Sequence, residues 1–220
     1  MKKLGLGFYD LAGVIAPGMV LVVGGVGLFF PGLRADLLAL ASVSLGSLGV
    51  GLILSYVAGE LVQAVGTGIE AAWWRLWGGL PTDWLRSGKH ELVAPVQLKL
   101  LEARVETMIN DESFAFVKVD REQWYSLTRQ INAAVAAAKR NARIDTFNGH
   151  YGLSRGVAAA LLLLLVGTSL TDWRQLKVEL VLAVLIGLSV YRMHEFGTVY
   201  ARELVVQYLQ LAPAPDAKRP

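Results

Sequence analysis

Hydrophobic residues are concentrated in uncharged runs, two before residue 60 and two after residue 155. These runs are residues 11–30, 37–59, 156–170 and 180–191. The second run has 23 residues without a charge, about 34 Å as a helix, and that length crosses the hydrocarbon core of a bilayer. The last two runs are short for isolated spans, so we expect them to pack as a hairpin on the first pair.

Polar segments between the runs predict the domain organisation. Residues 31–36 form a short turn, whereas residues 67–154 are too polar to enter lipid. We therefore predict an all-α membrane protein with four transmembrane helices in two hairpins and a helical cytoplasmic insert between the second and third. The predicted divisions are an N-terminal transmembrane hairpin, a mostly helical insertion domain, a C-terminal transmembrane hairpin, and an amphipathic cytoplasmic helix with a loose tail: residues 1–66, 67–154, 155–193 and 194–220.

The distribution of basic residues predicts the orientation. An even number of spans places both termini and the insert on one side. Most of the lysines and arginines that flank the runs fall on that side, and only Arg34, Arg174 and Lys177 fall in the opposite turns. The positive-inside rule makes the side with the insert cytoplasmic.

Small residues recur at every fourth position of the second run, at Ser47, Gly51, Ser55 and Gly59. Such a row lets another helix backbone approach closely. It indicates either tight packing within the chain or a helix that lines a subunit interface of a homo-oligomer or a polar pathway. The residues of the predicted pathway are Ser47, Gly51, Ser55, Gly59, Glu60 and Gln63.

The insert combines two amphipathic helical patterns with a local basic region. Asp120 and Gln123 have the spacing of a capping box before a helix that enters an alanine tract, and residues 114–119 could be a strand or a linker. No acid lies between Gln123 and Ile144. The basic residues there are either a topology signal or a binding site for an anionic ligand, namely a nucleotide, an oligonucleotide or lipid headgroups. The predicted ligand-binding residues are Arg129, Lys139, Arg140 and Arg143.

A polar and glycine-containing stretch, residues 145–156, joins the basic helix to the third span. Its glycines permit a bend. We also consider a polar network of Asn148, His150 and Arg155 with Asp10 or Glu60.

Composition and spacing exclude several kinds of chemistry. The chain has no cysteine, so it forms no disulfide and uses no thiolate. Its three histidines, His90, His150 and His194, are not in metal-ligand spacing. No Walker or GxSxG sequence is present. We therefore expect no metal, no cofactor and no enzymatic activity.

The layout of the whole chain resembles small membrane effectors of bacterial anti-phage defence, in particular the Hailong-type channel effector, in which a few spans carry a cytoplasmic sensing domain. The resemblance rests on no diagnostic motif and assigns no functional residue. It implies an oligomeric ion channel in the bacterial inner membrane. Its partners would be membrane lipid, further copies of itself, and a nucleotide or oligonucleotide made by a partner nucleotidyltransferase. The alternative is a non-catalytic membrane scaffold or receptor whose insert binds a protein partner.

Overall fold

A computed structural model describes residues 11–33, 45–88, 90–111, 113–171 and 176–211. Every regular element among these residues is helical, so the predicted all-α class is confirmed. A π-helical turn at Leu11–Ile15 leads into α1 (Ala16–Phe29), and a 3-10 turn occupies Phe116–Lys118. The other helices are α2 (Leu45–Leu76), α3 (Pro81–Ser87), α4 (Pro95–Ile109), α5 (Arg121–Ala137), α6 (Ala142–Thr171) and α7 (Leu176–Leu209).

Two stretches are long and apolar enough to cross a membrane, Leu48–Ser87 and Ala142–Thr171. A shorter apolar helix covers Gly13–Phe29. By length and composition alone, the two long stretches could each cross a membrane.

The chain divides into two units. The first comprises Met1–Trp73 and Asn148–Phe196, and the second comprises Trp74–Phe147 and Gly197–Pro220. The division falls within α2, α6 and α7. The sequence prediction places the corresponding boundaries after residues 66, 154 and 193.

The core of the first unit is apolar and made of side chains from α1, α2, α6 and α7. Val62 of α2 is fully buried with Ala159 and Ala160 of α6. Leu164 of α6 packs with Leu182 of α7, and residues of α1 close over that cluster. Small and branched side chains on neighbouring helices thus fill these two apolar clusters.

The second unit is organised around Trp124 of α5, which is almost fully buried. Its indole nitrogen donates a hydrogen bond of 2.8 Å to the carbonyl oxygen of Thr82, and Phe116 packs edge-on at 5.2 Å between ring centroids. The backbone nitrogen of Gln123 donates to the carboxylate of Asp120 at 2.8 Å, as the predicted capping box requires.

The end of α5 differs from the prediction. The helix stops at Ala137, and Lys139 has a left-handed backbone with φ of 58°. α6 begins at Ala142 and continues without a break through Gly149 and Gly152. The bend considered at those glycines is absent, because glycine permits a bend but does not impose one.

Candidate functional site

The inner half of the small-residue row packs against α1 within the same chain. A Cβ placed on Gly18 would lie 2.6 Å from the backbone nitrogen of Gly59 and would overlap the carbonyl oxygen of Ser55. A Cβ on Gly59 would lie 2.8 Å from the carbonyl carbon of Val14. The two helix backbones are therefore in direct contact, and only glycine fits at either position.

The outer half of the row is in a different environment. Ser47 lies on α2 one turn before Gly51. A Cβ on Gly51 would meet nothing within 4 Å. Gly51 is therefore open to another molecule, whereas Ser55 and Gly59 are already occupied by α1.

Gln63 belongs to a polar network that connects three elements of the first unit. Its amide nitrogen donates a hydrogen bond to the carbonyl oxygen of Gly13 in the π-helical turn. Its amide oxygen accepts one of 2.7 Å from the guanidinium of Arg155 on α6. Arg155 also forms an ion pair with Glu70, and these two side chains are 23% and 20% exposed.

Two glycines make room for this network. The closest atom to a Cβ on Gly66 would be a side-chain carbon of Arg155, at 3.2 Å. A Cβ on Gly156 would lie 2.6 Å from the ring of Pro17 and 2.9 Å from the amide nitrogen of Gln63. Because buried polar groups need hydrogen-bond partners, the network holds the π-helical turn, α2 and α6 together.

Of the polar network considered from the sequence, only Arg155 belongs to the network described here, with Gln63 and Glu70 as its partners. Asp10 lies outside the described residues, and Arg155 pairs with Glu70 rather than with Glu60. His150 stacks on Phe196, with 4.9 Å between ring centroids. Sequence reasoning missed Glu70, although its position seven residues after Gln63 places both on one helix face.

Glu60 lies on the exposed surface of α2. Its neighbours Tyr56, Val57 and Leu61 are exposed apolar or aromatic side chains, Leu61 to 67%. No residue in the described part of the chain forms an ion pair with Glu60. A carboxylate that pairs with none of the described residues therefore stands among apolar side chains, on a helix that is apolar enough to span a membrane.

Two of the four basic residues predicted to bind a ligand have polar partners on or just after α7. Arg140 donates to the side-chain oxygen of Gln210 at 3.0 Å, and Arg143 lies 3.6 Å from the carboxylate of Glu203. The prediction assumed one helix through Arg140. Because α5 ends at Ala137 and Lys139 reverses the backbone, Arg129 and Arg140 do not share a helix face.

Arg129 lines an open groove of about 590 Å³ in the second unit, formed by α3 and the residue before it, by α5, and by Tyr200 of α7. An ion pair of 3.5 Å between Arg121 and Asp83 lies on its wall. The guanidinium carbon of Arg129 lies 6.0 Å from the ring centroid of Tyr125. Burial, and then the charge of Asp145, raise the pKa of Tyr200 in the same groove.

Within the described ranges, no group of three His, Asp or Glu side chains is arranged to hold a metal ion. Comparison of the chain with protein-family models, with curated proteins and with solved structures gives no match. Three features remain from which a function can be inferred: the Arg155 network and Glu60 in the first unit, and the groove in the second.

Proposed function

We propose that this chain is a non-catalytic, multi-pass membrane effector that assembles as a homo-oligomer and conducts ions. In this proposal its four apolar segments insert as two hairpins in the bacterial inner membrane, with both termini and the insert in the cytoplasm. The observation that carries the proposal is the carboxylate of Glu60, which lies on an apolar helix face and pairs with none of the described residues.

The exposed apolar surface of the first unit supports insertion in lipid. On α7, six large aliphatic side chains are exposed, and similar ones lie on α2. Those of α7 are Leu176, Leu180, Val181, Val184, Leu185 and Leu188. Such a concentration of exposed aliphatic side chains on one helix differs from the singly scattered apolar residues of a water-soluble surface. Lipid chains solvate such faces, and the backbone polar groups are satisfied inside the helices.

Glu60 supports a water-filled pathway. A carboxylate within a span is costly in lipid unless it is paired or hydrated, and no described residue pairs with it. Assembly of several copies around water would hydrate Glu60 from each of them. A ring of carboxylates favours cations over anions.

The experiment is planar-bilayer recording of Glu60→Gln beside the wild type. Glutamine keeps the shape but removes the charge, so we expect cation selectivity to fall while assembly is retained. Glu91→Gln is the control, because Glu91 is an exposed acid of the second unit. Identical currents and selectivity in Glu60→Gln and the wild type would contradict a pathway through Glu60.

The second unit would regulate the pathway by binding an anionic or nucleotide-derived ligand, as in the defence effectors that the layout resembles. Arg129 supports this part, because none of the described acids pairs with it in the groove. Cyclic nucleotides or short oligonucleotides added to the insert side in the same recordings test it. Currents that do not respond to either compound would refute the nucleotide ligand.

The alternative is a membrane scaffold or receptor whose insert binds a protein. It is favoured by the mixed charge of the groove, where Asp83 and Glu122 accompany Arg121 and Arg129. Such a surface suits a peptide that carries both signs better than a polyanion. Absence of any current from the wild-type protein would favour this alternative.

A further inference from the structure

Polar residues on α6 and α7 mark the two ends of an apolar interval in the first unit. At one end, the hydroxyl of Ser169 on α6 donates a hydrogen bond of 2.9 Å to the carboxylate of Glu179 on α7. At the other end, α6 carries Arg155 and α7 carries Arg192. No acidic or basic residue lies between these ends, in residues 156–168 of α6 and 180–191 of α7. These two segments, the apolar interval, therefore have a polar boundary on either side.

The apolar interval is short. Arg155 and Ser169 are fourteen residues apart, and Glu179 and Arg192 are thirteen residues apart. At about 1.5 Å per residue, these separations are about 21 Å and about 20 Å along the helices. The hydrocarbon core of an ordinary bilayer is about 30 Å thick. Both helices are therefore about 10 Å too short to cross it, even when they stand upright.

The first helix of the unit, α1, has a similar length between the same two boundaries. At the first boundary, a Cβ on Gly156 of α6 would lie 2.6 Å from the ring of Pro17. Near the second boundary, a Cβ on Gly167 would lie 2.7 Å from the ring of Phe29, where α1 ends. Pro17 and Phe29 are twelve residues apart, about 18 Å along a helix. Three helices of the first unit therefore agree on the short interval.

The outward surface of α7 over this interval is apolar, although α7 is not one of the two stretches that are long and apolar enough to cross a membrane. Leu176 is exposed as well but lies beyond the boundary at Glu179. Between its boundaries α7 exposes Leu180, Val181, Val184, Leu185, Leu188 and Tyr191. Such a continuous face suits hydrocarbon rather than water, and its length suits a hydrocarbon layer that is thinner than average.

The side chains at the boundaries recover only part of the missing length. Glu179 is held at the level of Ser169 by their hydrogen bond. Arg192 forms an ion pair of 2.6 Å with Glu195, which lies three residues, or about 4.5 Å, further along α7. The apolar interval and the aliphatic stem of Arg192 together therefore cover at most about 25 Å.

We propose that the first unit binds phospholipids with short acyl chains along α6 and α7, in a hydrocarbon layer about 20–25 Å thick. This lipid preference rests on the membrane insertion proposed above. In a bilayer of ordinary thickness, the lipids beside these helices have to compress, because otherwise Glu179 or Arg192 would lie in hydrocarbon. Compression has a cost for every ångström of mismatch, so the folded unit is more stable where the bilayer is already thin.

The test uses the purified full-length chain in vesicles of a single phosphatidylcholine with dimyristoleoyl, dioleoyl or dierucoyl chains, which lengthen in that order. Insertion is measured as resistance to extraction by alkaline carbonate, and the melting temperature of the inserted protein is followed by circular dichroism. We expect the melting temperature to be highest in dimyristoleoyl vesicles and lowest in dierucoyl vesicles. The three lipids share the same headgroup and the same degree of unsaturation, so chain length is the variable.

A variant with a longer apolar interval should change this order. Arg192→Leu combined with Glu195→Leu removes both charges of the exposed pair and extends the interval along α7, so we expect its highest melting temperature in dioleoyl vesicles. The matched control is Arg143→Leu combined with Glu203→Leu, which removes an ion pair outside the interval. Its melting temperatures should keep the wild-type order even if all of them fall, because the order does not depend on absolute stability.

The results that overturn the lipid preference differ from those that overturn membrane insertion. Equal wild-type melting temperatures in the three lipids, or a maximum in dioleoyl vesicles, overturn the preference and leave insertion intact. Extraction of the protein from all three kinds of vesicle overturns both the preference and the proposed function. If the variant at Arg192 and Glu195 keeps the wild-type order, that order comes from general properties of the lipids, and the proposal is overturned as well.

Discussion

Replacing Gly59 by alanine should destabilise the first unit much more than the same change at Gly51. Both glycines lie on α2 in the same small-residue row, eight residues apart. The methyl group on Gly59 would meet the backbone of Val14, whereas a methyl group on Gly51 would meet nothing within 4 Å. The two variants add the same atoms to the same helix and differ only in what those atoms touch.

The size of the stability loss depends on whether the atoms that the new methyl group meets can move aside. The obstacle to a methyl group on Gly59 is main chain, so a side-chain rotation cannot relieve it, and α1 and α2 would have to separate by about 1 Å. Overpacking of this kind costs about 1–3 kcal/mol. The better helix propensity of alanine offsets about 0.5–1 kcal/mol of that cost. We expect a net loss of about 1–2 kcal/mol for Gly59→Ala and a gain of up to about 1 kcal/mol for Gly51→Ala.

The assay is reversible unfolding of the purified protein in detergent, followed by circular dichroism, with Gly18→Ala as a second clashing variant. Gly18 contacts the same stretch of α2 from the other helix, so its loss of stability should resemble that of Gly59→Ala. Equal stability of the Gly59 and Gly51 variants would refute direct contact between the two backbones.

Two further predictions concern ionisable groups. Glu70→Gln leaves Arg155 without its counter-charge and should lower the free energy of unfolding by roughly 2–3 kcal/mol, which is less than for a fully buried pair. Glu195→Gln, in the exposed pair with Arg192, should lower it by less than about 1 kcal/mol. Equal melting temperatures of the two variants would contradict this difference. Folding raises the pKa of Tyr200, so the stability that Tyr200 contributes is present below its ordinary pKa of 10.0 and is lost as pH rises through the folded value. The melting temperature of Tyr200→Phe should therefore fall less at alkaline pH than that of the wild type. Melting temperatures that fall in parallel would rule this out.

Features that depend on neighbours in sequence were predictable. The helical class followed from the length and periodicity of the apolar runs, and the start of α5 followed from the spacing of Asp120 and Gln123. In that capping box the side chain and the backbone that it binds are only three residues apart, so no tertiary information is needed.

Features that depend on packing were not predictable. The pairing of Arg155 with Glu70 requires α2 and α6 to lie side by side in one register. Within residues 114–119 a 3-10 turn covers Phe116–Lys118, where a strand or a linker was considered, and Phe116 packs on Trp124 of the next helix. The break at Lys139 separates Arg129 from Arg140, and alanine-rich sequence around it gives no local signal for a helix end.

The geometry of α2 constrains any oligomer built on it. At 3.6 residues per turn, nine residues place Gly51 and Glu60 about 180° apart around the helix, so one partner helix cannot cover both. α1 already occupies the face at Ser55 and Gly59.

If Gly51 contacts a neighbouring copy and Glu60 faces water, then the two sides of α2 contact different things, as in a closed ring with head-to-tail interfaces. A two-fold dimer through Gly51 would leave both Glu60 carboxylates facing outward into lipid, where a charge is costly. A conducting form should therefore contain at least three copies, and native mass spectrometry that finds only dimers would be incompatible with conduction past Glu60.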